Sequence, residues 1–389
     1  MTEQAVEAGF QPGQLRTIIA AVVSVTLVGV GLSLSTPLLS LIMEQRGYSG
    51  TLIGLNTSVA SLATLVLAPS IPRIAAWVGA QTILIVALVV GCFSLAGFAL
   101  LDSVEAWFAL RFVFGASVGT LFVLSEFWIN AAAPPARRGA VMGFYATALS
   151  LGFAAGPAII ALAGGADLRL FYVGAAFFLV AGVPIVIAGA SAPVLEGKSS
   201  RGALAFIVMA PVATVAGFVF GAVEQGAFAF LPIYGETGGL TAASSALLLM
   251  WFALGNVLFQ VPLGILSDKI NARVVLLVAA LVSLTGFLLM PLVSDDVVMM
   301  SAVVFLTGGV IGAFYTVGLA LLGARFSGPE LATANAAFVM LYSLGMLTGS
   351  PVIGLGVDLV PPHGFVWSIA LMCGGYALLV FWRMRTGQA

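Results

Sequence analysis

Apolar stretches long enough to cross a lipid bilayer follow one another along almost the whole chain. A spanning helix needs about 20 apolar residues, and charged or turn residues divide this sequence into twelve such runs. Only 7% of the 389 residues are charged and 61% are hydrophobic, whereas soluble domains carry about 25% charged residues. We therefore predict that most of the protein surface faces lipid, which excludes a disordered chain and a soluble enzyme with a single anchor.

The runs are too long and too uniform for the alternating strands of about ten residues that build a membrane barrel. We predict an all-α membrane protein of twelve transmembrane helices. The predicted spans are 16–42, 52–72, 80–101, 106–130, 139–162, 169–190, 203–231, 241–266, 273–293, 297–323, 331–356 and 364–383.

The distribution of Lys and Arg gives the predicted orientation, because short cytoplasmic loops carry the excess of basic residues. With both termini in the cytoplasm, eleven of the fourteen basic residues lie inside, only Arg46 and Arg169 lie outside, and Arg111 lies within a helix. We predict a multi-pass protein of the cytoplasmic membrane with both termini cytoplasmic.

Short patterns recur at an almost constant offset of 193 to 195 residues. The matched patterns are Gly152-x3-Gly156 with Gly345-x3-Gly349, Gly115 with Gly309, and 69–73 with 264–268. They predict two six-helix bundles, 1–190 and 203–389, joined by a cytoplasmic linker at 191–202. Two repeated halves around a site near the membrane midplane are the build of many secondary transporters.

Four motifs carry a resemblance to a known family. The segment from Gly264 through Asp268 to Arg273 resembles the cytoplasmic loop signature of the major facilitator superfamily, and its first-half copy has Arg73 where Asp is expected. Three further motifs of this chain resemble motifs of the family. They are Arg111-x3-Gly115-x3-Gly119 in predicted helix 4, Gly143-x8-Gly152-x3-Gly156-Pro157 in predicted helix 5, and Glu126-x-Trp128-x-Asn130. The helix 5 motif is associated with antiporters, and the last motif is similar to a bacterial branch. The resemblance implies the family's fold, the bacterial inner membrane and export.

Composition narrows the energy source and the partners. The net charge of −1 is not the positive charge that a nucleic-acid-binding protein carries. The segment Gly197-Lys198-Ser199 lacks the first glycine of a phosphate-binding loop, which disfavours ATP as the energy source. One histidine and two cysteines form no metal or redox pattern. We expect no cofactor, and the expected partners are a small-molecule substrate, protons and the bilayer around a monomer. An ion gradient or the substrate's own gradient must drive transport.

Ionisable residues inside a membrane are expensive and mark functional sites, and this chain has Arg111, Glu224 and Glu126. Arg111 lies about 9 Å below the outer end of its helix, and Glu224 about 12 Å below the outer end of helix 7. We expect Arg111 to bind an anionic group or restrain a carboxylate, and Glu224 to exchange the coupling proton. The structural alternatives are an arginine that bonds backbone carbonyls and a permanently neutral carboxyl.

Glu126 lies near the cytoplasmic end of helix 4, four residues before Asn130. We expect it to act as a gate or latch that pairs with Arg73 or Arg137 while the cytoplasmic side is closed, and it is the next candidate for the coupling proton. Asp268, in the second-half loop, is expected to contribute to the same gating. The alternative is an ordinary interfacial carboxylate.

Polar and aromatic side chains supply candidates for the cavity lining. They are Thr36, Asn56, Phe122, Gln225, Asn256, Gln260, Tyr315, Asn335 and Tyr342. Arg111, Glu224, Gln225, Asn256 and Tyr315 are predicted to bind substrate. An aromatic, sparsely charged cavity suits amphipathic organic molecules better than sugars. Gly152, Gly156 and Pro157 are predicted to shape a gating contact between helices 5 and 11.

The sequence therefore predicts a secondary transporter that exports a small amphipathic compound by proton antiport. One alternative is proton symport or facilitated uptake of an organic anion held by Arg111. A second is a non-transporting receptor or scaffold, although the longest hydrophilic segment has only about a dozen residues. An enzyme is disfavoured, because no nucleophile–base pair or metal cluster is visible.

Overall fold

The structure is a computed structural model that describes residues 12–67, 70–132, 138–188, 203–326 and 328–386. Within those ranges the protein is helical and no residue lies in a β-strand. Two helices are short, α3 (Ile71–Val78) and α8 (Ala203–Met209). The long helices are α1 (Pro12–Gln45), α2 (Gly50–Leu67), α4 (Ala80–Leu100), α5 (Val104–Ala132), α6 (Arg138–Leu162), α7 (Leu170–Ala188), α9 (Pro211–Thr237), α10 (Ala242–Lys269), α11 (Ala272–Leu289), α12 (Val297–Arg325), α13 (Gly328–Leu359) and α14 (Gly364–Arg385).

Among the described residues, eleven helices are long and apolar enough to cross a membrane. The remaining long helix is α6, which has 25 residues but a shorter apolar part, Thr147–Leu162. Large apolar side chains such as Leu179, Leu371 and Leu378 are exposed on these helices, as expected where lipid replaces water.

The predicted span 203–231 is wrong as a single helix. The chain bends at Ala210, which has φ −131° and ψ 57°, and Pro211 begins α9. Proline has no amide hydrogen and fits the first turn of a helix, so it separates α8 from α9 instead of continuing one span.

Side-chain caps fix several helix starts. The Thr241 hydroxyl accepts the Ser244 amide at the start of α10, and the Asn271 side chain accepts the Arg273 amide at the start of α11. Asp296 accepts two first-turn amides of α12. These bonds satisfy amides that have no partner inside the helix, and the spans therefore begin at defined residues.

Contacts between residues divide the chain into two compact units. The first contains Met1–Leu38, Val59–Ile159 and Asp167–Glu196, and the second contains Leu39–Ser58, Ile160–Ala166 and Gly197–Ala389.

In the first unit, Gly91 of α4 accommodates the ring of Phe178 from α7, so the two helices pack closely. In the second unit, α10 and α12 approach through Gly255, next to the backbone of Phe305, and through Gly308, next to the backbone of Phe252. Small residues at helix contacts are how membrane helices pack.

Candidate functional site

The helices α9 and α13 cross closely because glycines line their contact. A Cβ atom on Gly221 would run into the carbonyl oxygen of Tyr342, and one on Gly345 would run into that of Phe218. Only residues without a side chain allow two helix backbones to approach this far. The crossing sets the middle of α13 against the part of α9 that carries Glu224.

Glu224 and Tyr342 are hydrogen-bonded across this crossing. The Tyr342 hydroxyl donates to Oε2 of Glu224 at 2.7 Å, and both side chains are half-buried. A carboxyl oxygen accepts such a bond in the ionised form and in the protonated form. Glu224 can therefore bind and release a proton while Tyr342 keeps it in position.

The ring of Tyr342 packs with two further rings, from α9 and α12, and we name Phe220, Tyr315 and Tyr342 the aromatic cluster. The ring centroids are 5.4 Å apart for Phe220 and Tyr315, 5.7 Å for Phe220 and Tyr342, and 5.8 Å for Tyr315 and Tyr342. Phe338 packs edge-on against Tyr315 at 5.3 Å. Edge-to-face and offset contacts of this kind fix ring orientations, so α9, α12 and α13 present a preformed aromatic surface beside Glu224.

Asn256 and Gln260 supply amide groups on α10. The Gln260 side chain donates to Oδ1 of Asn256 at 2.7 Å. Asn256 packs against Gly312 of α12, because a Cβ atom on Gly312 would lie 2.9 Å from Oδ1 of Asn256. Gly312 lies one turn before Tyr315. Gln225 follows Glu224 in α9 and is half-buried. The second unit thus gathers four of the predicted substrate-binding residues on packed helices.

Arg111 lies in the first unit and is almost fully buried, with 1% of its surface exposed. Its guanidinium carbon lies 5.3 Å from the ring centroid of Phe98, whose ring packs against Phe114 and Phe171. The side chain is therefore held between α5 and α4 by aromatic packing. Its proposed part in proton coupling and substrate binding stays a prediction.

The predicted gating residues lie on different helices, and the structure describes the side chains of only some of them. The side chains of Glu126 in α5 and Arg73 in α3 fall outside the described part of the structure, as does the linker 191–202, so the latch stays a prediction. Asp268 is exposed in the last turn of α10, next to Lys269. Pro157 is buried inside α6.

Gly152 and Gly156 face α1. The sequence predicted that they shape a contact with the eleventh predicted span, which corresponds to α13. A Cβ on Gly152 would run close to the backbone oxygen of Thr26, and one on Gly156 would run into Ser33. The Ser33 hydroxyl donates to the carbonyl of Gly152 at 3.2 Å. The glycine pair needs this space for the α1–α6 packing, much as Gly345 needs it in the α9–α13 packing.

Tyr342 was predicted only as a candidate for the cavity lining, and its hydrogen bond to Glu224 was not predicted. It stands one turn before Gly345. Gly345-x3-Gly349 packs against Phe218 and Ala222 of α9, beside the pattern Gly217-x3-Gly221 on the same helix. Patterns of small residues on two helices predict that the helices cross closely. The position of Tyr342, one turn from such a pattern, is the sequence signal that could have placed it at the crossing.

Comparisons with known proteins agree with this architecture. The family model described as Major Facilitator Superfamily matches residues 21–251 and 214–389. The chain is 27% identical over 339 residues to an uncharacterized MFS-type transporter, YfkF of Bacillus subtilis (strain 168), with 86% of each chain covered. It is 22% identical over 261 residues to the uncharacterized MFS-type transporter YcaD of Salmonella dublin, with 67% of this chain and 66% of that protein covered.

Solved structures resemble the chain over almost its full length. The nucleoside transporter NupG has 17% identity and a TM-score of 0.77, covering 97% of this chain and 100% of that chain. A bacterial homologue of the human lysosomal transporter Spinster, inward-facing and unoccupied, has 14% identity and a TM-score of 0.76, covering 96% of each chain. At these identities the likeness concerns the fold, and the predicted all-α membrane fold is confirmed.

Proposed function

Because the chain belongs to the major facilitator superfamily, we propose that this transporter exports a small amphipathic organic compound in exchange for protons. Membership makes the protein a transporter that works by alternating access, and the prediction that it is not an enzyme is confirmed. Direction, coupling ion and substrate class are the proposed part.

The single observation that carries the proposal is the hydrogen bond between Tyr342 and Glu224 inside a membrane helix bundle. A carboxyl in this setting is costly to keep charged, and it can exchange a proton without losing its partner. We propose Glu224 as the coupling acid. Arg111 and Glu126 remain proposed contributors to proton movement, with Glu126 and Arg73 as the cytoplasmic latch.

The aromatic cluster supports an amphipathic substrate. Rings provide apolar contact area, while Gln225, Asn256 and Tyr315 offer only a few hydrogen-bonding groups, and sites with this composition suit amphipathic ligands. The resemblance of the α6 glycine motif to antiporters supports export. The Lys and Arg distribution supports a bacterial inner-membrane protein with both termini in the cytoplasm.

Reconstitution tests the direction of coupling. A ligand is first selected by its thermal stabilisation of the purified protein, since binding to the native state raises apparent stability. Uptake of that ligand into proteoliposomes is then measured under pH gradients of both signs, with protein-free liposomes as the control for passive trapping.

Antiport predicts that the ligand accumulates only when the lumen is acidic, because protons leaving the lumen then drive the ligand inward. Accumulation only in alkaline lumens would establish symport instead. Equal equilibration under both gradients would indicate facilitated diffusion, and binding without any flux would leave the proposal untenable.

A further inference from the structure

The proposed export function leaves the charge of the substrate open. We infer that the substrate is an organic cation, an amine or quaternary ammonium compound, whose charged head binds between the carboxylate of Glu224 and the rings of Tyr315 and Tyr342. This inference rests on the proposed function for the transport step, but the binding step can be tested without transport.

The distribution of charge in the second unit supports a cation. Its described basic residues lie at helix ends or in the turns between helices, and they are Arg46, Lys269, Arg273, Arg325, His363, Arg383 and Arg385. Glu224 stands near the middle of α9, many residues from either end. Helix α9 itself carries no basic residue, so a proton or the head of a bound cation is suited to neutralise Glu224 at this position.

The aromatic cluster supplies the second half of a cation site. A cation over the face of a tyrosine or phenylalanine is attracted by the ring quadrupole, and the attraction grows when water is excluded. Tyr342 bonds directly to Glu224, so its ring lies beside the carboxyl. Phe220 stacks on Tyr342 with an interplanar angle of 24° and holds that ring in place.

Other substrate charges fit this arrangement less well. An anion would meet the carboxyl of Glu224 in a setting where like charges repel strongly. A sugar needs many hydrogen-bond partners, whereas the amide pair on α10 already uses Oδ1 of Asn256 and the amide nitrogen of Gln260 in a bond to each other. A cation can take the position of the coupling proton, so that proton and substrate exclude each other at Glu224.

Three probes with a common benzyl group separate charge from shape. They are benzyltrimethylammonium, its uncharged isostere neopentylbenzene, and the anion phenylmethanesulfonate. Binding to the full-length protein in nanodiscs is measured at one pH, without any gradient. We expect the cation to bind at least about tenfold more tightly than the other two probes.

Two matched variants test the acid. Glu224→Gln keeps the size of the side chain and a hydrogen-bond acceptor, and we expect about tenfold weaker binding of benzyltrimethylammonium. Glu236→Gln removes an acid from the same helix, near its end, and should leave binding unchanged. Equal cation affinity in native protein and Glu224→Gln would overturn the inference, as would equal affinity for the cation and its neutral isostere.

A second pair tests the ring. Tyr342→Phe keeps the ring and should stay within about threefold of native affinity, whereas Tyr342→Leu should lose about tenfold. Equal losses would mean that Tyr342 acts only through its hydroxyl. Cation binding without gradient-driven uptake would reject proton-coupled export alone, while gradient-driven uptake restricted to neutral or anionic compounds would reject the cation alone.

Discussion

Asp358, in the last turn of α13, accepts two hydrogen bonds from Thr51 in the first turn of α2. The Thr51 amide donates at 2.8 Å and its hydroxyl at 2.6 Å, and the amide of Gly50 adds a third bond at 2.6 Å. A carboxylate at a helix N-terminus is favoured both by these amides and by the helix dipole. Nearby, a Cβ on Gly54 would run into the backbone of Ser350, so the two helices touch along this stretch.

We predict that Asp358→Ala loosens the contact between α2 and α13. A single hydrogen bond to a charged group contributes about 1.5–3 kcal/mol, so the loss of all three should shift the opening equilibrium by at least about tenfold. The buried Ser350→Cys reports opening through its rate of thiol labelling, after Cys92 and Cys373 have been replaced.

Asp296→Ala is the matched control, because Asp296 caps α12 in the same way and lies far along the chain from this contact. It should leave labelling of the cysteine at 350 unchanged, and Thr51→Val should give an intermediate rate. Similar labelling in Asp358→Ala and Asp296→Ala would remove Asp358 from any role in closing this contact.

We predict that Gly345→Ala destabilises the protein and abolishes transport. Its Cβ would meet the backbone oxygen of Phe218, so α13 must move away from α9 and take Tyr342 with it. The expected loss is about 1–3 kcal/mol in the free energy of unfolding. Denaturant titration in micelles measures it, and Gly375→Ala is the control because nothing lies within 4 Å of a Cβ there. A loss of the same size at position 375 would contradict the packing explanation.

Arg111→Lys should lower thermal stability although the charge is kept. A buried guanidinium over Phe98 contributes about 2 kcal/mol, whereas an exposed pair contributes about 0.5–1 kcal/mol. The exposed Arg385, which lies 4.7 Å from the Phe381 ring centroid, provides the comparison through Arg385→Lys. Melting curves of both variants measure the difference, and unchanged melting for Arg111→Lys would favour a purely functional role.

The fold followed from the sequence because lipid imposes strong rules on length and hydropathy. Apolar runs had to be helices, since a backbone in hydrocarbon must satisfy its own hydrogen bonds. The break between α8 and α9 escaped that reasoning, because a bilayer-length window averages over Ala210 and Pro211. A single proline at the start of a helix is a local signal, and a hydropathy value averaged over a whole span does not detect it.

The site was only partly predictable. Glu224 stood out because an acid inside a span is rare, but its partner Tyr342 lies 118 residues away along the chain. The pairing depends on how Gly221 and Gly345 seat two helices, which spacing alone suggests but does not fix. Nothing in the sequence pairs Asp358 with Thr51, which lies 307 residues away along the chain, and only the three-dimensional fold brings the two together.

The orientation proposal predicts that the segment 191–202 is cut from the cytoplasmic side. Trypsin added to inside-out vesicles should cleave near Lys198 or Arg201 and leave two fragments of about half the chain, since the longest polar stretch lies there. Immunoblots with tags at both termini read the fragments. Cleavage restricted to right-side-out vesicles would invert the proposed topology.

The central claim is that Glu224 carries the coupling proton, and gradient-driven uptake by Glu224→Gln tests it most directly. The glutamine stays neutral at every pH, so proteoliposomes with an acidic lumen should no longer concentrate the substrate. Exchange of labelled for unlabelled substrate without a gradient, at concentrations that saturate the variant, should persist, and Glu236→Gln should behave as native. If Glu224→Gln still accumulates substrate against its gradient, driven by the imposed pH difference, the coupling proton travels through another residue and the account is contradicted.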